Sequence, residues 1–180
     1  MPLLQITDNY ITTIRKRKGL SLSFFINTIL VMTKIFIGSD HGGFELKQTI
    51  IDYLKESFEN YEVEDLGPEK SDSVDYPLFG AKVGESVIAS EGSLGIVICG
   101  SGIGISIAAN KIKGIRAALC NSTELAKLAR EHNGANVLAM GERTMFTDDP
   151  EKIVETFLNT NVDMNERHVK RRGLLDDMCS

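Results

Sequence analysis

The chain has 180 residues, 42% of them hydrophobic and 25% charged, with a formal net charge of −5. That is enough for one soluble globular domain with a full core, and the acidic balance argues against nucleic-acid binding. Three cysteines, Cys99, Cys120 and Cys179, are odd in number and widely spaced. This favours a reducing, cytoplasmic compartment over a disulfide framework, and neither they nor His41, His132 and His168 show a metal-ligand spacing.

Residues 1–31 differ from the rest. Arg15-Lys16-Arg17-Lys18 precedes the apolar stretch Leu20–Val31, an order like the first two regions of a signal peptide. No small-residue cleavage site follows, and the apolar run is short for a membrane span. Met32-Thr33-Lys34 leads directly into a clean strand. The expected division is an N-terminal extension over 1–31, a mis-assigned or dispensable start, with a targeting segment or a structural arm as the alternatives, and a domain over 32–180.

From Met32 strands and helices alternate. Lys34–Ser39 reads as a first strand. Gly42-Gly43 opens a helix with Leu46, Ile50, Leu54 and Phe58 on one face. Glu62–Leu66 is a second strand, closed by Gly67-Pro68, and 69–75 a polar loop. A helix follows Pro77, with Ala81, Val83, Val87 and Ile88 inward. Leu94–Cys99 is a continuous apolar run, the pattern of a strand buried on both faces. Ile103–Lys111 is a helix and Ile115–Cys120 a fourth strand. Asn121 or Ser122 caps a helix running to Glu131, and Asn136–Met140 is a fifth strand. Asp149-Pro150 is a cap-and-first-turn pair for a helix carrying Ile153, Val154, Phe157 and Leu158. Val162–Asp177 reads as a charged last helix with a thin apolar stripe.

This alternation predicts a three-layer, doubly wound α/β fold with a five-stranded parallel sheet in the order 2-1-3-4-5, plus the extra C-terminal helix. Strands one and three are then neighbours whose outgoing loops diverge, and ligands bind at such a switch point. Asp40 and His41 leave strand one, and Cys99 leaves strand three, so topology brings the three to one crevice.

After Cys99 come Gly100, Ser101, Gly102, Ile103 and Gly104. Glycines there let backbone N–H groups crowd around an anion at a helix start. The loop lacks the glycine spacing of dinucleotide sites, the Gly-Lys-Ser/Thr of a P-loop and the Gly-x-Ser-x-Gly of a nucleophile elbow. Cys99 sits where a strand tip meets a helix N-terminus, a placement that favours the thiolate; a buried structural cysteine is the competing reading. For Asp40 the competing reading is a helix cap, and for Asp75 of Asp75-Tyr76-Pro77 likewise. His132-Asn133-Gly134 also suits an ordinary helix end. Arg143 follows the fifth strand. Arg167 and Arg171 share a face of the last helix, either as solvated charge or as a phosphate site.

In this order the motifs resemble the family of type B ribose-5-phosphate isomerases, which also holds galactose-6-phosphate isomerase subunits. The resemblance runs from about Met32 onward. It rests on Gly-Ser-Asp-His-Gly-Gly (38–43), Asp-Tyr-Pro (75–77) and Cys-Gly-Ser-Gly-Ile-Gly-Ile-Ser-Ile-Ala-Ala-Asn-Lys (99–111). Gly-Ile-Arg-Ala (114–117), Glu-His-Asn (131–133), Asn-Val-Leu-Ala-Met-Gly (136–141) and Arg-His-x-x-Arg (167–171) complete it. The intact Asp40-His41 pair favours the ribose enzyme. Cys99, with Ile105 where another branch carries a glutamate, places the chain with the cysteine branch.

The resemblance implies interconversion of ribose 5-phosphate and ribulose 5-phosphate through an enediolate, with no cofactor and no metal. It implies Cys99 as the base, Ser101 with the glycine-loop amides as oxyanion holders, and His132 with Asp40 as the ring-opening pair. Substrate binding falls to His41, Tyr76, Gly100, Gly102, Ile103, Gly104, Asn133, Arg143, Arg167, His168 and Arg171. It further implies a homodimer, or a dimer of dimers, with shared active sites, and no membrane partner. Three rivals remain at this point. They are an isomerase of six-carbon sugar phosphates, a non-catalytic phosphate- or nucleotide-sensing module, and a receiver-like domain with Asp40 as phosphoacceptor. The last lacks the lysine such domains need at the end of strand five, where Met140-Gly141 stands.

Overall fold

The computed structural model describes residues 32–178; the extension 1–31 and Cys179 lie outside the described residues. The elements are β1 (Thr33–Ser39), a 3-10 turn (His41–Gly43), α1 (Phe44–Ser57), β2 (Tyr61–Asp65), α2 (Tyr76–Ala89), β3 (Leu94–Cys99), α3 (Ile103–Ala109), β4 (Ala117–Leu119), α4 (Thr123–Asn133), β5 (Val137–Gly141), α5 (Pro150–Asn159) and α6 (Glu166–Asp177). All strand pairs are parallel.

The sheet order is β2-β1-β3-β5-β4, which corrects the expected 2-1-3-4-5. The two last strands exchange places because only one suits the interior. All five residues of β5, Val-Leu-Ala-Met-Gly, are buried, as a strand flanked on both sides and both faces requires. β4 has three residues, none fully buried, and Leu119 is exposed. It is shorter than the expected 115–120 and takes the edge, where short strands are tolerated.

Alternation along the strands divides the core in two. Ile35, Ile37, Ile96, Ile98, Leu138 and Met140 face α1, α4 and α5. Phe36, Val97, Cys99, Val137 and Ala139 face α2 and α3. Two expectations about the helices change. Ile88 is 50% exposed rather than inward; the buried face of α2 is Gly80, Val83, Gly84 and Val87, where the glycines admit α3 and Ile112 closely. On α1 the apolar face also includes the fully buried Lys47. Its ammonium donates to both Asp65 carboxylate oxygens (2.8 and 2.7 Å) and to the Pro68 carbonyl (2.8 Å). A buried charge so satisfied is held firmly, and it anchors the loop leaving β2.

Caps fall where the residue types point. Ser122 accepts from the Leu125 N–H, Asp149 from the Glu151 N–H, and Gly134 ends α4 in the left-handed region. Asp75 makes no side-chain cap bond.

Candidate active site

At the carboxyl ends of β1 and β3 two loops meet. The Asp40 N–H donates to the Ile98 carbonyl at 3.2 Å, and Asp40 Oδ1 accepts from the Gly42 N–H at 2.8 Å. Asp40 is therefore a cap, and at 7% exposure its carboxylate is nearly enclosed. Gly42 suits a close approach: a Cβ there would lie 3.2 Å from Gly100 N. His41 Nδ1 stands 3.3 Å from both the N and the O of Val74, so the polar loop after β2 holds its ring.

Cys99 is 4% exposed. Its Sγ accepts from the Gly102 N–H at 3.1 Å, a bond made possible by the left-handed backbone of Gly102 (φ 75°). The Ile103 N–H is held by Ser101 Oγ at 3.3 Å. The Gly100, Ser101 and Gly104 amides of the same loop have no intramolecular partner among the described residues. This narrows the expected five-amide cradle: one N–H serves the sulfur, one the serine, and three remain for an anion.

Two further residues close over the loop. The Arg143 N–H donates to the Gly100 carbonyl at 2.9 Å, and its side chain lies 3.5 Å from where a Gly100 Cβ would be. The Tyr76 ring lies against Gly104, where a Cβ would come within 2.6 Å of it. The sequence-predicted residues Asp40, His41, Tyr76, Cys99, Ser101 and Arg143 thus share one end of the sheet.

His132, Asn133, Arg167, His168 and Arg171 do not join them. His132 is in the last turn of α4, which returns to the start of β5; there the Asn136 carbonyl accepts from the Gly95 N–H. Cys99 pairs with Gly141 at the other end of the same strand pair. Four residues of strand separate the two ends by roughly 13 Å. The expected His132–Asp40 pair therefore does not form within one chain, because a parallel crossover helix ends on the opposite edge from where it began.

This second cluster has its own framework. The His132 and His168 rings stack at 4.4 Å with planes 7° apart. His168 is 3% exposed and its Nε2 accepts from Arg167 Nε at 3.0 Å. Burial first, then the nearby Arg167 guanidinium and His132, hold its pKa below the ordinary 6.5, with Asp163 pulling the other way. Arg172 Nη1 donates to the His132 and Asp163 carbonyls at 3.3 and 2.9 Å. Arg116 donates to the Asn133 and Gly134 carbonyls and to Asp176 Oδ1. Sequence reading assigned no role to Arg116 or Arg172; the Gly-Ile-Arg-Ala motif drew attention to the first, and nothing local marks the second. Arg167 and Arg171 remain exposed on α6.

Among the described residues no group of three or more His, Cys, Asp or Glu side chains could hold a metal ion, and no helix is long and apolar enough to cross a membrane.

The Ribose/Galactose Isomerase family model matches residues 35–175. The ribose-5-phosphate isomerase B of Escherichia coli K12 is 43% identical over 140 residues, 78% of this chain and 92% of that one. The solved ribose-5-phosphate isomerase B of Clostridium thermocellum is 51% identical, with a TM-score of 0.76 over 81% of this chain and 97% of that one. The type B enzyme of Trypanosoma brucei gives 42% identity and a TM-score of 0.77 over 82% and 99%.

Proposed function

The chain belongs to the ribose/galactose isomerase family, and from that premise we propose how its residues interconvert ribose 5-phosphate and ribulose 5-phosphate. It is an aldose–ketose isomerase, as the named relatives are. The observation that carries the mechanism is the Cys99 sulfur, held by the Gly102 N–H beside three unpartnered amides. The Gly102 N–H is placed to partner the sulfur when it acts as the base. The thiolate takes the C2 proton of the open-chain aldose, the electron pair enters a C1–C2 double bond, and the charge develops on O1. The Gly100, Ser101 and Gly104 amides hold that charge, typically the largest contribution in such sites. A proton shift from O2 to O1 and return of the proton from sulfur to C1 yield the ketose. His41 and Arg143 take the phosphate on this side.

Ring opening requires the other cluster, so the working enzyme is a homodimer in which His132, Asn133, Arg167 and Arg171 of a second copy face Cys99. Two surfaces support this reading. Ile103, Ile107, Leu119 and Leu125 form an exposed apolar stripe beside the glycine loop. α6 is inverted: its buried residues are His168 and Arg172, while Val169, Leu174 and Leu175 are exposed. A twofold axis at the β4 edge sets the end carrying Cys99 in one copy against the end carrying His132 in the other. A cytoplasmic setting belongs to the same proposal, supported by the unpaired thiols of Cys99 and Cys120.

Subunit mixing tests this directly. Cys99→Ala and His132→Ala proteins are each inactive, but a mixed dimer has one site with both residues intact. Random reassortment should therefore restore about a quarter of wild-type activity. Mixtures that exchange subunits yet stay inactive would exclude a shared site.

A further inference from the structure

β5 ends in Gly141, and the next residue, Glu142, has no part in the chemistry above. Its contacts nevertheless tie the end of β3 to the start of α1. Its backbone N–H donates to the Cys99 carbonyl at 3.0 Å. Its carboxylate Oε2 accepts from the Leu46 N–H at 2.9 Å, a contact spanning 96 positions of sequence. Leu46 is in the first turn of α1, and the residue at the cap position of that helix is Gly43, which makes no side-chain cap bond. A helix start leaves amides without partners, and an anion there is favoured by the helix dipole. Glu142 supplies from across the sheet the cap that α1 lacks locally. The residues immediately before α1 are Asp40, His41 and Gly42; the residue immediately after Glu142 is Arg143.

We propose that Glu142 is a positioning residue of the isomerase site, setting the separation between His41 on the α1 side and Arg143 on the β5 side, and so the fit of the substrate phosphate. The inference rests on the function proposed above. The carboxylate also occupies the Leu46 amide, so the substrate anion is directed to the glycine loop, His41 and Arg143 instead. The contact needs both an acceptor oxygen and the full length of the glutamate side chain; it does not need a charge.

Three variants separate these requirements. Glu142→Ala removes the acceptor, Glu142→Asp keeps the charge but shortens the reach, and Glu142→Gln keeps reach and acceptor without charge. The alanine and aspartate variants should raise KM for ribose 5-phosphate about tenfold, the equivalent of one hydrogen bond, with kcat nearly unchanged. The glutamine variant should stay close to wild type. Hydrogen exchange at the Leu46 amide should speed up in the first two variants and not in the third. Should the alanine variant fail to fold, the aspartate–glutamine comparison decides. Wild-type KM in the aspartate variant, or a glutamine variant as impaired as the others, overturns the assignment. Absence of ribose 5-phosphate turnover in the wild type would instead overturn the proposed function, while the Leu46 exchange pattern would still report on the clamp.

Discussion

The imidazole rings of His132 and His168 lie face to face, with centroids 4.4 Å apart and planes 7° from parallel. His132 closes α4 and His168 opens α6, so the stack fixes the last helix against the residue assigned to ring opening. The Arg167 N–H donated to His168 Nε2 requires that ring to be neutral.

That neutrality has a pH signature. The folded pKa of His168 lies below its ordinary value of 6.5, so on acidification the unfolded chain takes up a proton that the folded chain refuses. Stability contributed by the neutral ring is full above about pH 6.5 and is lost as pH falls from there through the lower folded pKa. The thermal midpoint should fall as the pH is lowered below about 6.5, and fall less in His168→Gln. Equal slopes for the two proteins would remove His168 as the origin.

Cys99→Ala should abolish turnover while preserving binding. The expected loss in kcat is at least the general-base range of about 10²- to 10⁴-fold, with Kd for ribose 5-phosphate little changed. A purely structural cysteine would instead cost about 1 kcal/mol of stability with normal turnover. A folded variant with wild-type kcat would refute the thiolate mechanism.

Alkylation should distinguish the buried thiols. Burial pushes the Cys120 thiol up to about 11, so it is protonated and inert at neutral pH. Iodoacetamide should inactivate the enzyme by modifying Cys99, with substrate protecting. Peptide mapping that finds Cys120 modified first would contradict this.

Arg171→Ala should raise KM for ribose 5-phosphate about tenfold or more, in line with loss of a charged hydrogen bond to phosphate. The unphosphorylated sugar should be an equally poor substrate for both proteins. An unchanged KM would reduce the exposed α6 arginines to surface charge.

We propose that the domain begins near Met32. A chain starting there should fold and keep full activity, since the family match runs from residue 35 to 175. A large fall in activity or thermal midpoint would make the first 31 residues integral.

The sequence by itself determined what depends on neighbours along the chain. The apolar run ending at Cys99, the glycines after it and the Asp40–His41 pair after the first strand are local patterns, and a parallel sheet carries such strand ends to one edge. Only the tertiary structure decided which strand lies inside. β4 and β5 are both short and apolar, and their order follows from burial on two faces, which short apolar runs do not encode. Glu142 and Lys47 were also illegible, because their partners Leu46 and Asp65 are respectively 96 and 18 positions away, and a charged residue on a helix or loop reads as solvated until its partner is located. The division of the site follows from the same cause. Motif order lists Cys99 and His132 together, but a crossover helix places them at opposite ends of the sheet, and the proposed function therefore draws on a second copy of the chain.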